Sequence, residues 1–225
     1  MRVSPLEGHR LWAPTFESGS SPLIALETRI LSERLRPLLP AKRFVDVACG
    51  AGRWMHYLLE RGAAVTGIDF CPEMLAEAQN KTRLNGRLVL GNVDHLPFSS
   101  EIADVTLCSL AVSFFPRLNR ALSEIARITK PGGTVIVTDM HPAGILAGWV
   151  RAFRLGPSVY EIEQYSPSID DLCEAGRRSR LQLQSQLEGC FSEPERKVFQ
   201  AAGKESLFHQ ASRIPALWVG IWNKP

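Results

Sequence analysis

The chain has 225 residues, 45% hydrophobic and 22% charged, with a formal net charge of +3. That composition excludes a disordered tail, a collagen-like fibre and a disulfide-stapled miniprotein, and so small an excess of base argues neither for nor against a nucleic-acid partner. No apolar run approaches the ~18 residues of a membrane span and residues 1–20 lack the apolar core of a secretory signal; Cys49, Cys71, Cys108, Cys173 and Cys190 form no CxxC pair, so neither a zinc ribbon nor a disulfide framework is indicated and the reducing cytoplasm is the expected compartment.

Residues 1–20 read as an irregular arm. A helix opens at Ser21 with Pro22 in its first position, runs to Arg36, and is ended by Pro37 and Pro40. An alternation then begins. Residues 43–49 are apolar and β-branched, as a buried strand is. Residues 52–62 place Trp54, Met55, Leu58 and Leu59 on one helical face, with Gly62 as the stop. A strand over 64–69, a helix over 72–84 begun by Pro72, and strands over 87–91 and 103–110 follow. A helix over 117–129 is ended by Lys130-Pro131-Gly132-Gly133, and a strand over 134–140 closes the series. Strand and helix alternating at this spacing predict right-handed crossovers and a parallel sheet covered on both faces.

Beyond residue 140 the pattern loosens. Residues 141–168 hold Gly, Pro and several aromatics with no clean period. A helix near 168–180, an alternating half-exposed strand over 181–189 and a last apolar strand over 216–222 complete the chain. The tail reads as strands finishing the same sheet, with a structured excursion at 141–168 and no second domain.

The informative stretch is Asp46-Val47-Ala48-Cys49-Gly50-Ala51-Gly52-Arg53. It leaves a strand and enters a helix through two glycines, which let backbone approach a ligand closely while the helix start offers free amides. Asp69 closes the next strand 19 residues after Gly50, where nucleotide-binding α/β sheets place the acid that clamps ribose hydroxyls. A dinucleotide fingerprint needs Gly or Ala where Met55 stands, and a Walker loop needs Gly-Lys-Ser/Thr where Arg53-Trp54 stands. The ligand read from these residues is a nucleoside without phosphates.

Taken together, VDVACGAGRW, GIDFCPEML, GNVDHLPF, ADVTLCSL and EIARITKPGGTVIVTDMHP resemble the class I S-adenosylmethionine-dependent methyltransferases, most closely those acting on small molecules. The resemblance covers roughly residues 43–142. It implies a single Rossmann-like α/β domain over residues 1–225, with a seven-stranded, mostly parallel sheet in the order 3-2-1-4-5-7-6 and the last strand antiparallel. Residues 1–40 would be an arm and lid helix, 43–140 the cofactor-binding core, 141–168 a substrate-pocket excursion and 169–225 the sheet-completing tail.

The resemblance also implies roles. Asp46 would hold the amino group of S-adenosylmethionine, and Gly50 and Gly52 would pass beneath its methionine part. Asp69 would take both ribose hydroxyls, Phe70 would pack on the adenine, Asn92 and Val93 would meet the adenine edge, and Ser109 would sit below the methionine part. Ala48 stands where the family often has Gly, and Asn92 where it usually has Asp; the Asn92 carbonyl can still accept a hydrogen bond, more weakly than a carboxylate.

His141, following the strand over 134–140, is the candidate general base, because its ordinary pKa suits proton removal near neutrality. Trp12, Phe16, Trp149, Phe153, Tyr160 and Tyr165 are candidates to wall an acceptor pocket. The expected acceptor is a small molecule, methylated on oxygen with nitrogen and carbon open, such as a natural-product or quinone-like compound; no metal, nucleic acid or membrane partner is expected, and the chain would be a monomer or homodimer. Plain structural readings stand beside these: turn glycines, an N-capping Asp69, a strand-end turn at His141, core aromatics in the excursion, and structural or solvated His56 and His95. Two rival functions remain, a non-catalytic methyltransferase-fold subunit and a nicotinamide-dependent oxidoreductase.

Overall fold

The computed structural model describes residues 1–39, 42–81 and 86–225. In chain order it contains β1 (Arg2–Val3), α1 (Pro5–Trp12), α2 (Pro22–Leu35), β2 (Arg43–Val47), α3 (Arg53–Glu60), β3 (Ala64–Asp69), α4 (Pro72–Gln79), β4 (Leu88–Leu90), β5 (Ala103–Ser109), α5 (Leu118–Ile128) and β6 (Thr129–Met140). It continues with α6 (Pro142–Leu146), β7 (Ala152–Leu155), β8 (Ser158–Ile162), α7 (Ile169–Arg178), β9 (Gln182–Gly189), α8 (Glu193–Ala201), α9 (Phe208–Ala211) and β10 (Leu217–Asn223).

The main sheet has seven strands in the order β4-β3-β2-β5-β6-β10-β9. β2 pairs in parallel with β3 and β5, while β10 runs antiparallel to both β6 and β9. This is the order and polarity expected from the sequence. The side-chain alternation of β2 explains why it is central: Phe44 packs into one apolar cluster, Val45 and Val47 into the other, and all three are buried. α3 brings Trp54, Met55 and Leu58 to the first face, joined by Leu26, Leu31 and Leu35 of α2. α5 covers the second with Ala121, Leu122, Ile125 and Ile128, a stripe at helical spacing. A Cβ on Gly67 of β3 would overlap Met55 Sδ and Cys49 Sγ, so glycine there lets α3 lie close against the sheet.

The structure changes some expectations and fills in others. The arm is not irregular: Ser4 caps α1, accepting a hydrogen bond from the Glu7 amide, and Pro5 occupies its first position. Lys130-Pro131-Gly132-Gly133 does not separate helix from strand; β6 begins at Thr129, and the register slips between Ala103 and Val105 to absorb the irregular stretch. The excursion is a hairpin, β7–β8, and β1 adds to it in parallel, pairing Arg2 with Glu161 and Val3 with Ile162. α8 and α9 lie in a stretch where the sequence reading placed no element. The predicted helix over 72–84 is observed to Gln79; residues 82–84 and Pro40 lie outside the described residues.

Candidate functional site

A cavity of about 940 Å³ opens at the carboxyl ends of β2, β3 and β5. It is at the upper end of ligand-pocket size, roughly 300–1,000 Å³. Its floor is the glycine loop, its roof residues 4–24 of the N-terminal segment, and its far wall the β7–β8 hairpin with residues of α8 and the turn after it.

The loop between β2 and α3 turns through left-handed backbone at Ala48 (φ 58), Gly50 (φ 53) and Gly52 (φ 76). A Cβ on Gly50 would meet nothing within 4 Å, so the backbone there borders open space. Gly52 does not line the cavity; it is the N-cap of α3 and makes no side-chain cap hydrogen bond. Ala48 lines the cavity in a conformation that costs an L-residue energy, which accounts for the glycine commonly seen there in the resembling family.

Two carboxylates flank this loop. Asp46 is buried, and its Oδ1 has no hydrogen-bond partner. Burial pushes its pKa up to about 8, against the opposing pull of Arg53. Asp69 instead pins the loop: Oδ2 accepts from the Gly50 amide at 2.8 Å and Oδ1 from the Cys71 amide at 2.9 Å. Burial raises its pKa and these two amides pull it back. Each oxygen keeps a lone-pair direction for a ligand hydroxyl.

Phe70, Asn92 and Val93 line the cavity. Asn92 also caps the following turn, its Oδ1 accepting from the Asp94 amide at 2.9 Å. Asp94, not singled out in the sequence, lines the cavity as well; its Oδ2 accepts from Arg117 Nη2 at 2.7 Å while Oδ1 is buried without a partner.

Ser109 lies on the lining and donates to Glu27 Oε1 at 2.6 Å. Glu27 of α2 is wholly buried and also accepts from Arg53, Thr138 and the Trp54 indole. This network ties α2 to α3 and to the ends of β5 and β6. The sequence carried its signal: Leu23, Glu27, Leu31 and Leu35 share one helical stripe, so a carboxylate stands where an apolar residue belongs.

His9 of α1 is the histidine that lines the cavity. It packs edge-on to Phe114 at 4.8 Å and to Phe70 at 6.1 Å between ring centres. Its Nδ1 lies 2.7 Å from the Pro5 carbonyl, which can only accept, so Nδ1 carries the proton. Burial lowers its pKa, with Arg151 adding to the effect and Asp69 and the Pro5 carbonyl opposing it. The result is a neutral ring whose Nε2 holds a free lone pair.

His141 does not line the cavity. Its Nδ1 caps α6 by accepting from the Ala143 amide at 3.0 Å, and its Nε2 faces Glu188 of β9 at 3.6 Å. The geometry therefore gives it no path to a ligand in the cavity. Of the aromatic candidates, Trp12, Phe16, Trp149, Phe153 and Tyr165 line the cavity and Tyr160 does not. Tyr160 stacks behind Phe153 at 5.4 Å, which in turn stacks on Trp12 at 5.2 Å, so the three form a pile joining arm to hairpin. Phe191 and Phe199 extend the apolar wall, and Arg151, Arg154 and Lys204 are cations upon it. Among the described residues no cluster of His, Cys, Asp and Glu is placed to hold a metal ion.

This donor set fits a nucleoside joined to an amino acid. The orphaned Asp46 oxygen suits an ammonium, the open backbone at Gly50 leaves room for a chain, and Asp69 suits a ribose diol. Met55, wholly buried, occupies the place where a dinucleotide fold needs a small residue.

Comparison with known proteins agrees. Residues 45–137 match the family described as "Methyltransferase domain". The chain is 31% identical over 159 residues to malonyl-[acyl-carrier protein] O-methyltransferase of Pectobacterium atrosepticum, covering 68% of this chain and 62% of that one. It is 34% identical over 114 residues to a phthiotriol/phenolphthiotriol dimycocerosates methyltransferase of Mycobacterium ulcerans, covering 49% of this chain and 42% of that one. The aligned region thus spans from 42% to 62% of these relatives' length. A solved S-adenosylmethionine-dependent methyltransferase from Mesorhizobium loti superposes with a TM-score of 0.65 at 20% identity, covering 85% of this chain and 96% of that one, a likeness of fold.

Proposed function

We propose that the chain, whose residues 45–137 match the family described as "Methyltransferase domain", transfers a methyl group from S-adenosylmethionine to an oxygen of a small, largely apolar acceptor. The observation that carries this reading is a single cavity whose lining joins two unlike sets of residues: Asp46, Gly50 and Asp69, and the apolar Trp149, Phe153, Phe191 and Phe199. A cofactor and an acceptor can lie in it side by side.

Bound S-adenosylmethionine supplies an electrophilic methyl on a sulfonium that leaves as a neutral thioether. The protein's part is to bind, to aim and to exclude water. Asp46 pairs with the ammonium, Asp69 accepts from the ribose hydroxyls, and the Gly50 backbone passes beneath the chain between them. α1 and the segment after it roof the cavity, and the Lys81 ammonium ties that roof to the floor by donating to both Glu17 and the Ala51 carbonyl. His9 Nε2 accepts the acceptor's hydroxyl proton, the task expected of His141; the Pro5 carbonyl fixes the required tautomer. The two curated relatives named above are an O-methyltransferase for a malonyl group and a methyltransferase for dimycocerosate lipids, which supports an acceptor with an extended apolar part.

Calorimetric titration with S-adenosylhomocysteine tests the cofactor half directly. Saturable binding that weakens in Asp69→Ala supports it; no heat at any pH between 6 and 9 removes the reading.

A further inference from the structure

Apart from Arg53, which is ion-paired with Glu27, the cavity's charged lining divides by chain segment. On the strand-end side the lining carboxylates are Asp46, Asp69 and Asp94. From residue 110 onward the described lining holds no carboxylate and three cations, Arg151, Arg154 and Lys204. A sulfonium and an ammonium suit the three carboxylates. The three cations are then left for something negatively charged.

Arg151 is set up to hold it. Asp139 accepts amide hydrogens from Ser113 and Met140, each at 2.7 Å, and receives Arg151 Nη2 at 2.6 Å. That fixes the guanidinium plane. The side chain is 12% exposed, Nε is sealed without a partner, and Nη1 makes no hydrogen bond among the described residues yet is not sealed. Asp139 itself does not line the cavity, so the face turned to a ligand is the cation's. Arg154 donates to the Pro157 carbonyl, and neither it nor Lys204 has a carboxylate partner among the described residues. Around these cations the wall is apolar, with Trp149, Phe153, Phe191 and Leu207.

We propose that the acceptor carries an oxyanion on an apolar body, and that Arg151 is the residue that selects for it. The inference rests on the cofactor reading above only in treating Asp46 and Asp69 as already engaged. With Nη2 held by Asp139, the guanidinium still favours an oxyanion over its neutral analogue, because the remaining N–H makes a stronger, charge-assisted hydrogen bond to an anionic oxygen.

The test is calorimetry on the full chain, with and without saturating S-adenosylhomocysteine, using sodium decanoate, decyl phosphate and decanol as probes. Decanoate or decyl phosphate should bind about tenfold or more tighter than decanol, and the better of the two names the oxyanion. Arg151→Gln should cut that oxyanion preference about tenfold or more while S-adenosylhomocysteine affinity holds. Should Arg151→Gln fail to fold, Arg154→Gln with Lys204→Gln carries the test on two surface-reaching side chains and should weaken the oxyanion probes alone. Equal binding of decanoate and decanol, no binding of any probe, or an oxyanion preference untouched by the variants overturns the proposal. Absence of S-adenosylhomocysteine binding counts against the cofactor reading instead, and the titrations without it still decide this one.

Discussion

Glu27 and Ser109 meet across 82 residues of chain: the Ser109 hydroxyl donates to Glu27 Oε1 at 2.6 Å, joining α2 to the carboxyl end of β5. The same carboxylate takes Arg53, Trp54 and Thr138, so one side chain holds the N-terminal segment, the helix after the glycine loop and two central strands in fixed relation. Glu27→Gln keeps the shape and part of the hydrogen bonding but strips the charge opposite Arg53. With Arg53 27% exposed and able to reach water, the expected loss is about 1–3 kcal/mol of unfolding free energy by urea titration. An unchanged midpoint and slope would show that the pair contributes nothing net.

Asp46 should make the unliganded protein less stable as pH rises. Its folded pKa of about 8 lies above its ordinary value of 3.8. Between those values the folded chain holds a proton that the unfolded chain has released, so stability falls with rising pH from about 4 to 8 and levels off above. Asp46→Asn should flatten that slope in melts across pH 5–8. An ammonium placed beside Asp46 favours the carboxylate. Binding of S-adenosylhomocysteine near pH 7 should therefore release a proton, read as a dependence of binding heat on buffer ionisation enthalpy. Heats identical in phosphate and Tris would remove the ammonium from Asp46.

Ala48 sits at φ 58, where its Cβ crowds the following carbonyl. Ala48→Gly should raise stability by about 0.5–1 kcal/mol, the relief of strain exceeding the added chain entropy. A melting temperature that drops would mean the loop adjusts without strain.

His141 serves α6 rather than the cavity. His141→Ala should cost about 1 kcal/mol of stability through the lost cap and leave S-adenosylhomocysteine affinity and turnover as they were. Turnover falling about 100-fold at unchanged affinity would return it to the chemistry.

For His9 the readout is the ring itself. Nitrogen-15 NMR should report a neutral ring protonated at Nδ1, titrating below the ordinary histidine range. Predominant protonation at Nε2 near pH 7 would exclude it as the proton acceptor.

The central sheet and its ligand loop were legible because their signals are local. β-Branched runs, two glycines and an acid 19 residues on lie within one crossover. The rest depends on contacts between distant segments. β7 and β8 are short and half exposed, so they show no clean alternation, and part of what orders β8 is β1, 159 residues away. At His141 the sequence signal and the packing part company. Its place after a strand is right for a base, but the ring caps a five-residue helix and lies off the cavity. Glu27 could have been found by asking why a charge interrupts an apolar stripe. His9 could have been found by treating Ser4-Pro5 as the helix start it is.

The roof over the cavity is joined to the far wall by the Trp12–Phe153 stack and by β1, a strand of two residues whose flanking ion pair, Arg2 to Glu161 at 3.9 Å, is exposed. Such a pair contributes little, roughly 0–1 kcal/mol. Neither join draws on the seven strands of the main sheet, since β1 pairs within a separate three-stranded sheet, so the crevice's cover is built independently of the core that carries its floor.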